Sequence, residues 1–274
     1  MRNYLKLLPA VALLGGSLAW ASPVDTTDFT ATTFAANDDG SVGPVNLGFS
    51  ADFFGVTTSQ VYVNNNGNLT FSGPLSAYTP GGLQSSSLPI IAPFWADVDT
   101  RGAGSGLTTY GTGTYDGYSA FDILWPAVGY YGAQTDKLDT FQVILVDRSD
   151  LGAGDFDIYF NYGPMQWETG QASGGVDGLG GSCAVAGYSN GTGAGAGEVT
   201  YELPGSSVCG ALIDGGADAL SSNTNDGVTG QYEFEAINGQ VVTPPSATPE
   251  PSSLLLLGTG ALSMAGVIRR KLTA

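Results

Sequence analysis

Between residues 22 and 240 no run of useful length repeats its apolar residues at the three-and-four spacing of a helix. Short runs rich in Val, Ile, Tyr, Phe and Thr recur instead, separated by Gly, Asn and Asp. Such a chain can satisfy its backbone only by pairing strands. The runs are 60–64, 68–71, 90–98, 118–125, 140–146, 155–161 and 198–203. Asn66-Gly67 lies between the first two. It predicts a tight hairpin, because both central residues of a two-residue turn must tolerate positive φ. In Phe141–Val146 both parities are mostly apolar, which predicts a central strand covered on both faces. In Phe156–Asn161 the even positions are apolar and the odd ones more polar, as on a half-exposed strand, with Asp155 and Asp157 solvated. Glycine is abundant, at 42 residues, but without a collagen period. No internal repeat is visible, and no Rossmann or P-loop glycine pattern opens a helix. The expected fold is all-β: one antiparallel, sandwich-like domain over 22–240, flanked by an N-terminal signal helix and a C-terminal hydrophobic helix.

The two ends differ in character from this body. MRNYLK is a short basic leader, LLPAVALLGGSLAW is apolar, and Ala19-Trp20-Ala21 offers a small-x-small cleavage site. Residues 1–21 therefore read as a signal peptide, cut by signal peptidase to leave Ser22 as the mature start. At the other end, 241–248 is a Pro/Thr/Ser spacer, extended in character. Residues 249–274 begin with Pro249-Glu250-Pro251, continue through an apolar run at 254–268 and end in Arg269-Arg270-Lys271. As a helix that run would span about 22 Å, short of a bilayer core of about 30 Å. The basic triplet would hold its end at the cytoplasmic face. The segment can park an exported chain in the inner membrane, either as a lasting anchor or as a tag that is read and removed.

Export makes the cysteines legible. Cys183 and Cys209 are the only two in the chain, so a disulfide is expected in an oxidising compartment. A reactive thiol would lack an activator, since no Lys or Arg occurs from 149 to 268. Charge narrows the partners further. Residues 22–249 hold three basic residues against 24 of the 25 acidic ones. That body repels nucleic acid and anionic lipid and tolerates divalent cations, basic partners or neutral glycans. Histidine is absent, which removes Ser-His-Asp and Cys-His catalysis and His-ligated zinc.

Two sets of residues invite chemistry. Asp97 and Asp99 stand two apart at a strand end, on one side of it, and suggest a calcium site; the competing reading is a turn or a pair with Arg101. No other cofactor is expected. Trp167 beside Glu168 suggests a sugar-stacking ring with an acid, the start of a lectin-like or glycoside-hydrolysing site. The competing reading makes Trp95, Trp125 and Trp167 core anchors whose acidic neighbours face water.

Read together, the motifs of the body resemble the nidogen-type (NIDO) extracellular domain. Asn37-Asp38-Asp39-Gly40-Ser41, Leu47-Gly48-Phe49 and Phe53-Phe54-Gly55 are similar to its opening in bacterial members. VYVNNNGNLTF at 61–71 matches its hairpin, and Ile91–Thr100 its most distinctive stretch. Thr140–Leu145, Asn161–Trp167, Ala186-Gly187-Tyr188 and Leu203–Ser206 follow in order. The resemblance implies an extracellular, non-enzymatic domain associated with cell–matrix adhesion. Residues 249–274 resemble the PEP-CTERM sorting signal of Gram-negative bacteria. That implies recognition by an exosortase, transient residence in the inner membrane, and delivery to the cell surface or exopolysaccharide matrix. The functional expectation is an adhesive surface or biofilm protein, with a carbohydrate binder, or less readily a glycosidase, as the alternative.

Overall fold

The strand at 134–147, whose second half is mostly apolar and buried on both faces, lies in the middle of the larger of two sheets. In the computed structural model, which describes residues 23–242, thirteen strands form. They are β1 (Thr32–Thr33), β2 (Ser41–Phe53), β3 (Val56–Asn64), β4 (Asn68–Thr70), β5 (Ile90–Trp95), β6 (Thr109–Tyr115) and β7 (Tyr118–Tyr130). After them come β8 (Gln134–Asp147), β9 (Phe156–Tyr162), β10 (Val185–Ser189), β11 (Thr200–Glu202), β12 (Gln231–Ile237) and β13 (Gln240–Val242). One sheet runs β1-β6-β7-β8-β9-β12-β13 and the other β11-β10-β5-β4-β3-β2. The strand pairs are antiparallel. Two 3-10 turns, Leu83–Ser85 and Gln171–Ser173, are the helical elements among the described residues. None of these is long and apolar enough to cross a membrane. The expected signal helix and hydrophobic tail helix lie outside the described residues.

The core forms where the inner faces of the two sheets meet. Leu47, Phe49, Ala51 and Phe53 alternate inward along β2, and they meet Phe121, Ile123 and Trp125 of β7, Phe141, Val143 and Leu145 of β8, and Phe156, Ile158 and Phe160 of β9. At one end the rings form a chain. Trp125 stacks on Phe141 with centroids 4.9 Å apart, Phe141 meets Phe94 at 5.3 Å, Phe94 meets Trp167 edge-on at 5.8 Å, and Trp167 meets Tyr130 at 5.5 Å. Trp95 points the other way, into a smaller cluster with Leu83, Ile90, Ala92 and Val185.

The outer face of the larger sheet is covered too, by a small apolar cluster of Ala120, Ile144 and Val146 under Phe29, Tyr115 and Tyr159 and, beside it, by a polar ladder. Gln231 Nε2 donates to Asn161 Oδ1 (2.7 Å), Asn161 Nδ2 to Gln142 Oε1 (3.1 Å), and Gln142 Nε2 to Asp122 Oδ2 (3.2 Å). This ladder crosses four neighbouring strands. The N-terminal segment closes it, with Asp25 N donating to Gln142 Oε1 at 3.0 Å. The odd positions of β9 are therefore not solvated as the pattern suggested. Asn161 is inside the ladder, and Asp157 is buried against Arg148 at 2.7 Å. Asp155 is buried as well, accepting the Asn238 amide at 2.8 Å.

The same N-terminal segment explains the two glycines inside strand β6, TYGTGTY, which would otherwise weaken it. A Cβ on Gly111 would stand 1.7 Å from the Thr30 carbonyl oxygen, and one on Gly113 would stand 2.0 Å from that of Asp28. The glycines let one backbone lie against another.

Candidate functional site

The hairpin between β3 and β4 builds the most polar buried region of the molecule. Asn64 pairs with Asn68, so the loop is Asn65-Asn66-Gly67, three residues rather than the two expected. Of the central residues only Gly67 takes positive φ, at 73°. That geometry is the three-residue hairpin ending in a left-handed glycine. A Cβ at Gly67 would stand 1.8 Å from the Phe94 carbonyl oxygen, so this position also needs glycine for closeness to β5.

The asparagines then point in different directions, all fully enclosed. Asn64 Nδ2 reaches Asn68 Oδ1 at 2.8 Å and Thr70 Oγ1 at 3.0 Å, while its Oδ1 accepts from Ser41 Oγ and Leu75 N. Asn65 Nδ2 donates to the carbonyls of Asp38 and Val98. Asn66 Nδ2 donates to Asp39 Oδ1 at 2.9 Å, and Asn66 Oδ1 accepts Val98 N at 3.0 Å. The hairpin thus ties the turn at 37–40 to the segment after β5. Asn37 secures the turn by accepting Gly40 N on Oδ1 (2.8 Å) and Thr100 N on its carbonyl (2.9 Å).

Between these anchors lie the carboxylates of Asp38, Asp39 and Asp97, each offering an oxygen within 4.8 Å of the others. Asp97 is 1% exposed, and neither of its carboxylate oxygens meets a donor among the described residues. Asp38 Oδ1 and Asn65 Oδ1 are likewise buried without a donor. Burial, then the charges of Asp38, Asp39 and Asp99, pushes Asp97 up to about 7 against the pull of Arg101. Burial, then Asp99 and Asp39, pushes Asp38 up to about 6, again against Arg101. Such an arrangement holds more negative charge than its surroundings compensate.

Asp99 does not join Asp97, as the two-residue spacing had suggested. Beyond β5 the chain leaves strand geometry, and Asp99 turns to Arg101. Its oxygens take Arg101 Nε at 2.8 Å, Nη2 at 2.7 Å and the Arg101 and Ala133 amides at 3.0 and 2.8 Å. Burial works against its ionised form, but these bonds outweigh it and hold the carboxyl below its ordinary value. Arg101 also reaches Asp38 Oδ2 at 2.8 Å. Asp38, Asp39, Asn65 and Asn66 were not candidate ligands or framing groups on sequence alone. The signal was present in Asn37-Asp38-Asp39-Gly40, a carboxylate-bearing turn, but nothing local places it beside Asp97.

Trp167 cannot serve as a sugar platform in this fold. It is fully buried in the aromatic chain, and its Nε1 donates to the Val128 carbonyl at 3.0 Å. Glu168 does not face water either, since both of its oxygens accept the Gly210 amide, at 2.7 and 2.8 Å. Beside it Cys183 and Cys209 form a disulfide, with Cα atoms 5.3 Å apart. The bridge holds the glycine-rich 184–208 stretch at its two ends. Ala19, Ala21, Pro249, Glu250, Pro251, Arg269, Arg270 and Lys271 lie outside the described residues.

Comparison with known proteins agrees with this architecture. Residues 19–204 match the NIDO-related family, and residues 247–271 match the PEP-CTERM protein-sorting motif. The chain is 32% identical over 246 residues to alpha-tectorin of Mus musculus, a match covering 81% of this chain and 11% of the relative. It is 29% identical over 235 residues to nidogen of Drosophila melanogaster, covering 72% of this chain and 16% of the relative. The chain spans only about a tenth to a sixth of the length of these relatives. No solved structure matches it. The sorting motif implies export with processing by an exosortase. The family match over residues 19–204, with the identity to alpha-tectorin, makes this chain a member of the NIDO-related family, homologous to alpha-tectorin and nidogen.

Proposed function

We propose that the chain is a non-enzymatic adhesive protein of the cell surface or exopolysaccharide matrix. Exosortase cuts near Pro249-Glu250-Pro251 after the tail has held the chain briefly in the inner membrane. The β domain is then delivered outside, where it binds weakly and many times over. Its acidic exterior meets other acidic polymers through bridging divalent cations.

One observation carries this reading: a NIDO-related domain and a PEP-CTERM motif occupy one chain. The side chains that suggested sugar chemistry support it as well. Trp167 lies in the core, and Glu168 is committed to the Gly210 amide. A stacking ring beside an accessible acid is what a glycosidase or lectin built on these two residues would need.

The test compares cells with and without the chain for its retention in washed extracellular matrix. Release by chelator or by high salt is the expected result. Retention unchanged under both would contradict cation-bridged adhesion. Binding across a broad glycan array would favour a sugar-specific lectin instead.

A further inference from the structure

We propose that Asp38, Asp39 and Asp97 form a site for one hard divalent cation, calcium in the exported setting, which clamps the 37–40 turn to the segment after β5. The site is a structural clamp within one chain and stands independently of the adhesion reading.

Size comes first. Calcium binds oxygens at about 2.3–2.6 Å, so ligands on opposite sides of the ion lie roughly 5 Å apart. Carboxylate oxygens of Asp38, Asp39 and Asp97 all fall within 4.8 Å of one another. One ion can therefore touch all three without large movement of the backbone.

The second observation is independent of the clustering. Asp97 is 1% exposed, and both its oxygens are without a donor among the described residues. An ionised carboxylate so placed is costly unless a cation meets it. The nearby guanidinium does not: Arg101 binds Asp99 through Nε and Nη2 and reaches Asp38 by the oxygen on the other side of that carboxylate. Asp38 Oδ1 remains without a donor. Burial of Asp97 is enforced by Gly170, where a Cβ would stand 2.4 Å from Asp97 Oδ2. The hairpin fixes the other side, because Asn66 Nδ2 orients Asp39 and Asn65 Nδ2 bridges the carbonyls of Asp38 and Val98. The hairpin thus holds Asp38 and Asp39, while the chain at Gly170 packs against Asp97.

Donor chemistry selects the ion. An all-oxygen set favours calcium or magnesium over softer metals. Magnesium demands near-ideal octahedral geometry and keeps several waters, whereas calcium accepts irregular carboxylate cages.

The mature protein, recovered from the extracellular fraction and stripped with chelator, should be titrated with CaCl2 by calorimetry and thermal unfolding. MgCl2 and KCl at matched ionic strength separate site binding from screening of the acidic body. One saturable calcium site is expected, with Kd on the order of 10⁻⁴–10⁻³ M as in extracellular modules. Near 5 mM calcium the midpoint should rise by roughly 2–6 °C. Asp97→Asn should weaken binding at least tenfold and abolish the rise, while exposed Asp177→Asn keeps both. If Asp97→Asn fails to fold, Asp39→Asn must show the same tenfold loss. No saturable calcium binding by the native protein, or an undiminished response in these variants, overturns the site. Protein that fails this titration yet leaves the matrix on chelation would lose the clamp and keep the adhesion reading.

Discussion

The indole N–H of Trp125 donates to the main-chain carbonyl of Asn65 at 2.9 Å, joining β7 of the larger sheet to the hairpin of the smaller one across 60 residues of sequence. The bond is wholly buried. Asn65 in turn holds Asp38 and Val98 by its side-chain amide. The hairpin loop is therefore a junction between the two sheets and the acidic turn.

Asn65→Ala should expose the weight of this junction. It leaves two carbonyls without their donor, at about 1–3 kcal/mol each, so a loss of about 2–6 kcal/mol is expected. A denaturant midpoint with unchanged slope measures it. A loss under about 0.5 kcal/mol would be that of an ordinary surface substitution and would contradict the junction.

Two glycines with similar φ separate backbone strain from close approach. Gly55 has φ 83° with open space beyond it, while Gly67 has φ 73° and faces the Phe94 carbonyl. Gly55→Ala should cost about 1–2 kcal/mol, the strain of a left-handed non-glycine residue. Gly67→Ala must also displace β5 and should cost several times more, or prevent folding. Equal losses in thermal unfolding would mean that the hairpin does not press on β5.

Reduction tests the staple. Opening Cys183–Cys209, which closes a loop with sequence separation 26, should cost roughly 3–4 kcal/mol by chain entropy. The double variant Cys183→Ser, Cys209→Ser should match the reduced native protein. Protease cutting should then concentrate in the glycine-rich 184–208 stretch. Unchanged stability on reduction would contradict the role of the bridge.

Stability should also fall with rising pH, through buried carboxyls whose charged neighbours are other carboxylates rather than cations. Burial pushes Asp122 up to about 7 and Asp139 well above its ordinary value. Asp139 keeps Oδ1 on the Gln166 and Trp167 amides, while Oδ2 has no donor among the described residues. A folded value above the unfolded one means that the native state holds more protons as pH rises from about 4. The penalty is absent below that pH, grows through the window and levels off above the folded value. Asp139→Asn removes this contribution and keeps the Oδ1 contacts. In chelator, the stability difference, variant minus native, should increase from pH 4 to pH 8. A difference independent of pH would contradict the buried, protonated state.

Much of the fold was legible because alternation and burial agree. The two-sided apolar pattern of Phe141–Val146 marked the central strand, and the asparagine-glycine run marked the hairpin. The misreadings arose where contacts from distant sequence override the local pattern. Asn161 and Asp157 look solvated in sequence, but Gln142, Gln231 and Arg148 complete their hydrogen bonds inside the fold. The strand at 109–115 was not among the expected runs, because its two glycines make sense only once the backbone at Asp28 and Thr30 lies across them. Asp97 was visible as a candidate ligand, but its partners were not. Asp38 and Asp39 stand about sixty residues away, and the Asn65-Asn66 bridge, the Asn37–Thr100 bonds and Arg101 bring them close. Asp99, the neighbour in sequence, answers to Arg101 instead.

Intact mass spectrometry of the protein from the cell-surface and extracellular fractions bears most directly on the central claim. A species beginning at Ser22, ending near Pro249-Glu250-Pro251 and lighter by two hydrogens through an oxidised Cys183–Cys209 pair is the predicted result. A species running from Met1 to Ala274 with both thiols free, found as the functional form inside the cell, would contradict it.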